Sequence, residues 1–187
     1  MEFPVPPTTP TADADAAALD PASLRCVSAI GAWSVSSYKR GFEVHCLRDN
    51  SVDTYWQSDG PQPHFINIQF NKKTQLQLLR IYLDYRQDES YCPSKISVRA
   101  GSTMQDVQEL HRLDLDEPSG WISVDLRDET TGHPLHAHLV QIAILCNHQN
   151  GKDTHIRQVQ LFAPLKNCVL EDIPFSTTDF LMYSTLR

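Results

Sequence analysis

The chain has 187 residues, 41% of them hydrophobic, and a formal net charge of −7. That length fits one domain with a short appendage, and the acidic balance argues against a basic face for nucleic acid or anionic membrane. No apolar run approaches the roughly 20 residues of a membrane-spanning helix.

Residues 1–22 are mostly Pro, Thr, Ala and Asp without periodicity, which predicts a disordered segment. They also lack the basic start and apolar stretch of a secretory signal. A short helix fits near 21–30. Then come short segments in which apolar residues alternate with polar ones. Ile66, Ile68 and Phe70 share a face, as do Leu79, Ile81 and Leu83. The pattern recurs at Ile96, Val98 and Ala100; at Ile122, Val124 and Leu126; at Val140, Ile142 and Ile144; and at Val159, Leu161 and Ala163. Period two predicts half-buried strands of antiparallel sheets. Val107–Leu115 mixes helical and alternating spacing and is assigned as strand. Trp33 and Trp121 open apolar strands and are assigned to the core. Trp56 sits in a polar loop, as an anchor or as a contact residue. Many short strands separated by turns predict an all-β fold, a jelly-roll β-sandwich. Its limits are set at residues 23–163, with 164–187 as a tail.

If every connection reverses the chain, successive loops fall at alternate ends of the sandwich. The Asn71-Lys72-Lys73 stretch, 102–105 and 127–136 then share one end. Loops 49–63, 84–94, 116–120 and 146–155 share the other. These four are rich in aromatic, amide, hydroxyl and carboxyl groups. Loops on a rigid sandwich are a natural binding surface, and this chemistry suits an extended peptide or a glycan.

Catalytic chemistry has less support. Asp59 or Asp88 beside His148 or His155 could form an acid–base pair, and Glu89 with Asp153 a glycosidase pair. Neither has a signature spacing, and no G-x-S-x-G, H-E-x-x-H or phosphate loop occurs. The carboxylates are read as turn-capping groups. His133, His136 and His138 are read as a solvated turn, not a metal site. The five cysteines, Cys26, Cys46, Cys92, Cys146 and Cys168, contain no C-x-x-C pair. They are read as free thiols in a reducing compartment. Cys146 adjoins the 146–155 loop and is read as a small apolar residue closing a strand, in preference to a nucleophile.

Four motifs carry a resemblance: TYWQSDGPQPHFINIQF (54–70), DESYCPSKISVRAG (88–101), EPSGWI (117–122) and NHQNGKDTHIRQ (147–158). In this order and at these intervals they resemble the DOC domain, and most specifically the DOC-domain core subunits of the anaphase-promoting complex, or cyclosome. The resemblance covers about residues 25–163, and the tail TTDFLMYSTLR is similar too. It implies a galactose-binding-like jelly roll in the nucleus and cytoplasm, with no enzymatic activity and no cofactor. The implied role is substrate recognition and processivity in a ubiquitin ligase, in the cell cycle and mitosis. The implied partners are other subunits of the complex, a WD40 co-activator and the destruction-box peptides of substrates. Carried over residue by residue, the degron- or co-activator-facing candidates are Ser58, Asp59, Ser90, Tyr91, Asn147, His148, Gln149, Asn150, Asp153 and His155. The resemblance also implies that Leu186 and Arg187 dock on a tetratricopeptide-repeat scaffold subunit, with Leu186 where the family has Ile. A carbohydrate-binding module of the same fold is the alternative, although fold alone is poor evidence for ligand.

Overall fold

The computed structural model describes residues 21–128 and 130–165. Eleven strands and one helical turn follow in order: β1 (Leu24–Cys26), β2 (Ala32–Val35), β3 (Trp56–Gln57), β4 (His64–Leu76), β5 (Leu78–Asp84), α1 (Tyr85–Asp88), β6 (Pro93–Gly101), β7 (Gln108–Asp114), β8 (Ser119–Asp125), β9 (Leu135–Asn147), β10 (His155–Ile156) and β11 (Gln158–Pro164). Three-residue 3-10 turns, Pro21–Ser23 and Ser28–Ile30, flank β1 in place of the expected short helix.

The strands form two larger antiparallel sheets and one small ribbon. One sheet has the order β1-β11-β5-β8, the other β2-β4-β9-β6-β7, and β3 pairs with β10. Alternation fixes what each sheet buries. Ile66, Ile142 and Val98 lie abreast on β4, β9 and β6. Leu161, Leu79 and Val124 lie abreast on β11, β5 and β8. Both rows enter one hydrophobic core between the sheets. Truncating any of the fully buried Ile or Leu residues to Ala is expected to cost about 2–5 kcal/mol.

The structure departs from the sequence reading at several further points. Asn71, Lys72 and Lys73 are exposed but do not reverse the chain. They belong to a bulge where the β4–β9 register shifts between Gln69 and Thr74, and the reversal comes at Gln77. Polarity there signals exposure on a strand, not a turn. Trp121 is not in the core. Ile122 and Val124 turn inward, so period two sends Trp121 outward, edge-on to Tyr82 at 5.3 Å between centroids. Trp33 is partly buried against the core and donates Nε1–H to the Ser28 carbonyl at 2.9 Å. Cys146 is the penultimate residue of β9 and so closes that strand as read, but its side chain is exposed rather than packed inside. The terminal segments 1–20 and 166–187, with Leu186 and Arg187, lie outside the described residues.

The registers decide where the loops go. β4 begins opposite the end of β9, at His64 and Ile144, and β6 begins at Pro93 opposite Asn147. β8 begins at Ser119 opposite Asp84. Segments 49–63, 84–92, 115–118 and 148–154 therefore share one end. β11 runs away from it and finishes at Pro164, paired with Leu24.

Candidate functional site

The four loops are bonded to one another. The Tyr85 N–H donates to the Pro118 carbonyl at 2.8 Å, and the His148 N–H to that of Cys92 at 2.9 Å. Ser58 N–H donates to the Thr154 carbonyl at 3.1 Å, and Thr154 N–H returns a bond to Ser58 Oγ at 2.9 Å. Gln62 Nε2 donates to the Gly151 carbonyl at 2.8 Å. Gly151 passes so close to the 84–92 loop that a Cβ there would lie 1.9 Å from the Ser90 carbonyl oxygen. Only a residue without a side chain fits.

A buried ionic cluster holds this arrangement. The Asp88 carboxylate accepts from Arg157 Nε at 2.9 Å and Nη2 at 2.8 Å, and meets His155 Nδ1 at 3.1 Å. Burial alone would raise the Asp88 pKa, but hydrogen bonds from His155 and Arg157 and the nearby positive charge hold it below the ordinary carboxylate range. An ionised carboxylate only accepts, so His155 Nδ1 carries the proton. Arg157 also donates from Nη1 to the Val52 carbonyl at 2.8 Å. Burial opposes its charge, yet the bonds to Asp88 raise its pKa above the ordinary value. One cluster thus ties together 49–57, 84–92 and residues 155–157, which are β10 and its junction with β11.

Aromatic rings continue it. Phe42 stacks on Tyr55 at 4.8 Å, Tyr55 on His155 at 4.2 Å, and His155 on Tyr91 at 4.3 Å between centroids. At the helical turn, Asp84 caps α1 by accepting from the Arg86 N–H at 3.1 Å and also accepts from Ser119 Oγ at 3.4 Å. Trp56 is fully buried and donates Nε1–H to the Ser37 carbonyl at 3.0 Å, so it anchors its loop.

The backbone is strained here. Among the described residues the non-glycine positions with positive φ are Asn50, Glu89, Glu117, Gln149 and Asn150. Each lies in one of the four loops. Such conformations persist only when the surroundings over-determine them, and they concentrate at ligand-binding surfaces.

A family model described as anaphase-promoting complex, subunit 10 (APC10) matches residues 6–185. The chain belongs to this family. It is 50% identical over 167 residues to anaphase-promoting complex subunit 10 of Mus musculus, covering 89% of this chain and 90% of the relative. It is 40% identical over 158 residues to the subunit of Schizosaccharomyces pombe, covering 83% and 84%. Among solved structures, the family 32 carbohydrate-binding module of C. perfringens NanJ, in complex with galactose, superposes with a TM-score of 0.61. It is 12% identical and covers 74% of this chain and 98% of its own. That likeness establishes a galactose-binding-like jelly roll and nothing about ligand.

Within the family fold, the predicted site residues divide into frame and surface. Ser58, Asn147 and His155 are buried. Ser58 accepts from Thr154, and Asn147 Nδ2 donates to the carbonyls of Gly151 at 3.1 Å and Asp153 at 2.8 Å, which folds the 147–154 loop onto itself. These three hold the surface and do not form it. Asp59, Gln149 and Asn150 are exposed, and Tyr91 retains 40% of its accessible area. Ser90, His148 and Asp153 are half-buried beside them. His148 lies edge-on to Tyr85, whose hydroxyl accepts from Gln149 Nε2 at 3.3 Å. The Asp88–His155 contact exists, but it is enclosed between two tyrosines and committed to Arg157. Sequence reasoning missed Arg157, and it took Asp88 only as one of several acids. The available signal was an apolar Ile156 followed by two polar residues, Arg157 and Gln158, at the entry to a buried strand.

Proposed function

We propose that the protein is a non-catalytic substrate receptor of the anaphase-promoting complex. In this reading it holds a destruction-box peptide jointly with a WD40 co-activator. The observation that carries it is the display of Asp59, Tyr91, Gln149 and Asn150 on three of the four loops, held by the buried Asp88–Arg157–His155 cluster. Exposed amides, a carboxylate and one aromatic face suit an extended peptide. Each polar contact replaces a bond to water and adds only about 0.5–1.5 kcal/mol. A peptide shared with a second subunit gains effective concentration instead. The enclosure of Asp88 and His155 speaks for a structural rather than an acid–base role. Docking of Leu186 and Arg187 on a tetratricopeptide-repeat scaffold, and residence in nucleus and cytoplasm, belong to the same proposal. In support of the tether, β11 finishes at the end opposite the loops, so tail and receptor contacts need not compete.

The test replaces Asp59, Gln149 and Asn150 together with Ala in the reconstituted complex. The expected result is fewer ubiquitins added per encounter to a destruction-box substrate, with thermal stability unchanged. Ubiquitylation at the wild-type level would refute the receptor reading, and a glycan array on the same variant would then decide for the carbohydrate-binding alternative. A second preparation ending at Thr185 tests the tether: recovery of the complex is expected to fall.

A further inference from the structure

Sheet edges are where a sandwich invites or refuses another chain. β1 and β2 are edges of three and four residues. β7 is a longer edge but carries Glu109, His111, Arg112 and Asp114, and its partner β6 has a register shift at Val98 and Arg99. β8 is different. Its seven residues, SGWISVD, carry no charge before Asp125, and Arg127 Nε engages that carboxylate at 2.9 Å.

The ladder phase shows which groups β8 leaves unpaired among the described residues. Tyr85 N–H bonds to the Pro118 carbonyl and Leu126 N–H to that of Gln77. Both belong to the β5–β8 register, in which bonded and non-bonded pairs alternate. Gly120, Ile122 and Val124 therefore bond to β5. Ser119, Trp121, Ser123 and Asp125 turn their backbone N–H and C=O groups to the open edge.

A second observation lies next to that edge. Arg80, on β5 opposite Ser123, sets its guanidinium 4.5 Å from the centre of the Trp121 ring. Among the described residues no acid pairs with it, and its Nε is buried without a hydrogen-bond partner. Burial presses its pKa below the ordinary value. Buried polar groups are normally satisfied, and a guanidinium beside an aromatic ring selects carboxylates.

We infer that the open edge of β8 receives an extended segment of another subunit of the complex as an added strand, with a carboxylate of that segment closing on Arg80. Such a strand would lie two spacings, about 9.5 Å, from β5. The residue opposite Arg80 on β8 is the short Ser123, with the Trp121 ring to one side, so a glutamate on the outer face is within reach of the guanidinium. Residues on the other face of the added strand meet half-buried Ile122 at the rim of the core. The occupant is therefore a segment in which acidic and apolar residues alternate, a form of strand addition. The inference rests on family membership and not on the receptor reading.

Amide hydrogen exchange at single-residue resolution tests it, on the full chain alone and assembled with the other subunits. Exchange at Trp121 and Ser123 is expected to slow by about tenfold or more on assembly, while Ile122 and Val124 are protected in both states. Unchanged exchange at Trp121 and Ser123 overturns the proposal. Two variants address the chemistry. Ser123→Pro removes one outward N–H and leaves the β5 ladder intact, and Arg80→Glu reverses the charge while Arg80→Lys keeps it. Incorporation into the complex is expected to fall several-fold for the first two and to be largely retained for the third. Normal incorporation of Arg80→Glu refutes the acidic occupant even where β8 is protected. Protection that appears in the isolated chain as its concentration rises assigns the edge to a second copy and overturns the partner.

Discussion

Replacing Asp88 with Ala tests the frame most directly. The side chains of Asp88 and Arg157 are only 4% and 5% exposed, so solvent screens the pair little. Removing the carboxylate leaves a buried guanidinium whose remaining hydrogen bond among the described residues is to the Val52 carbonyl, and takes the acceptor from His155 Nδ1. Breaking a buried pair this way costs about 3–5 kcal/mol. At about 2–4 °C per kcal/mol for a chain of this size, the melting temperature should fall by about 6–20 °C. The double variant Asp88→Ala, Arg157→Met removes both charges, leaving mainly the orphaned His155 N–H at a cost of about 1–3 kcal/mol. It should therefore be more stable than Asp88→Ala alone. The acid dependence has a defined sign. The Asp88 pKa is depressed in the folded protein, so its contribution is full above the unfolded carboxylate pKa and is lost as pH falls through the lower folded value. The gap between wild type and Asp88→Ala should hold at neutral pH and close in strong acid. Urea unfolding across that range is the assay. A loss under about 1 kcal/mol at pH 7, or a double variant less stable than the single, would refute the argument.

Two further outcomes follow from close contacts and burial. Gly151→Ala puts a methyl group 1.9 Å from the Ser90 carbonyl, so the 148–154 loop must shift. A loss of about 1–3 kcal/mol and faster exchange of the His148 N–H, now bonded to Cys92, are expected; wild-type exchange would mean the loops are not locked there. Thiol labelling of the folded chain, read by mass spectrometry, should modify exposed Cys26 and Cys146 first. Cys92 is buried, and its pKa is pushed up to about 12 by burial and then by the Asp88 and Asp84 charges. It should react only on unfolding, and labelling at the rate of Cys146 would contradict that.

Alternation along single strands was enough to place Ile66, Ile68, Leu79, Ile81, Ile142 and Ile144 in the core, because one face of each sheet is buried and the period is two. Counting reversals also gathered the four loops at one end, since an error of length at 71–73 did not change the number of reversals. The division of the site into frame and surface was not legible. Ser58, Asn147 and His155 sit in polar stretches just as Asp59 and Gln149 do, and only pairing across the fold distinguishes them. Asp88 and Arg157 are 69 positions apart, so no local pattern links them, and a charged residue in isolation reads as solvated. Trp121 misled for a related reason: its place at the head of an apolar strand suggested burial, while its phase relative to Ile122 pointed outward.

The loop end and the β8 edge solve opposite problems. At the loop end many backbone and side-chain polar groups are already paired with one another, and buried atoms left without a partner among the described residues, such as Asn147 Oδ1 and His155 Nε2, are enclosed within it. What remains for recognition is a small set of exposed side chains on a backbone whose strained residues, Glu89, Gln149 and Asn150, are already fixed. Such a surface loses little freedom on binding and so spends less of its interaction energy on ordering, which favours discrimination over strength. Among the described residues β8 turns a row of backbone groups outward beside Arg80 of β5, whose buried Nε has no hydrogen-bond partner, a feature that favours stable attachment. On the receptor reading, a subunit that stays in a large assembly while releasing short peptides would need both, on separate elements. In this fold β5 joins them: its C-terminal Asp84 caps the loop end, and its central Arg80 lies under the open edge.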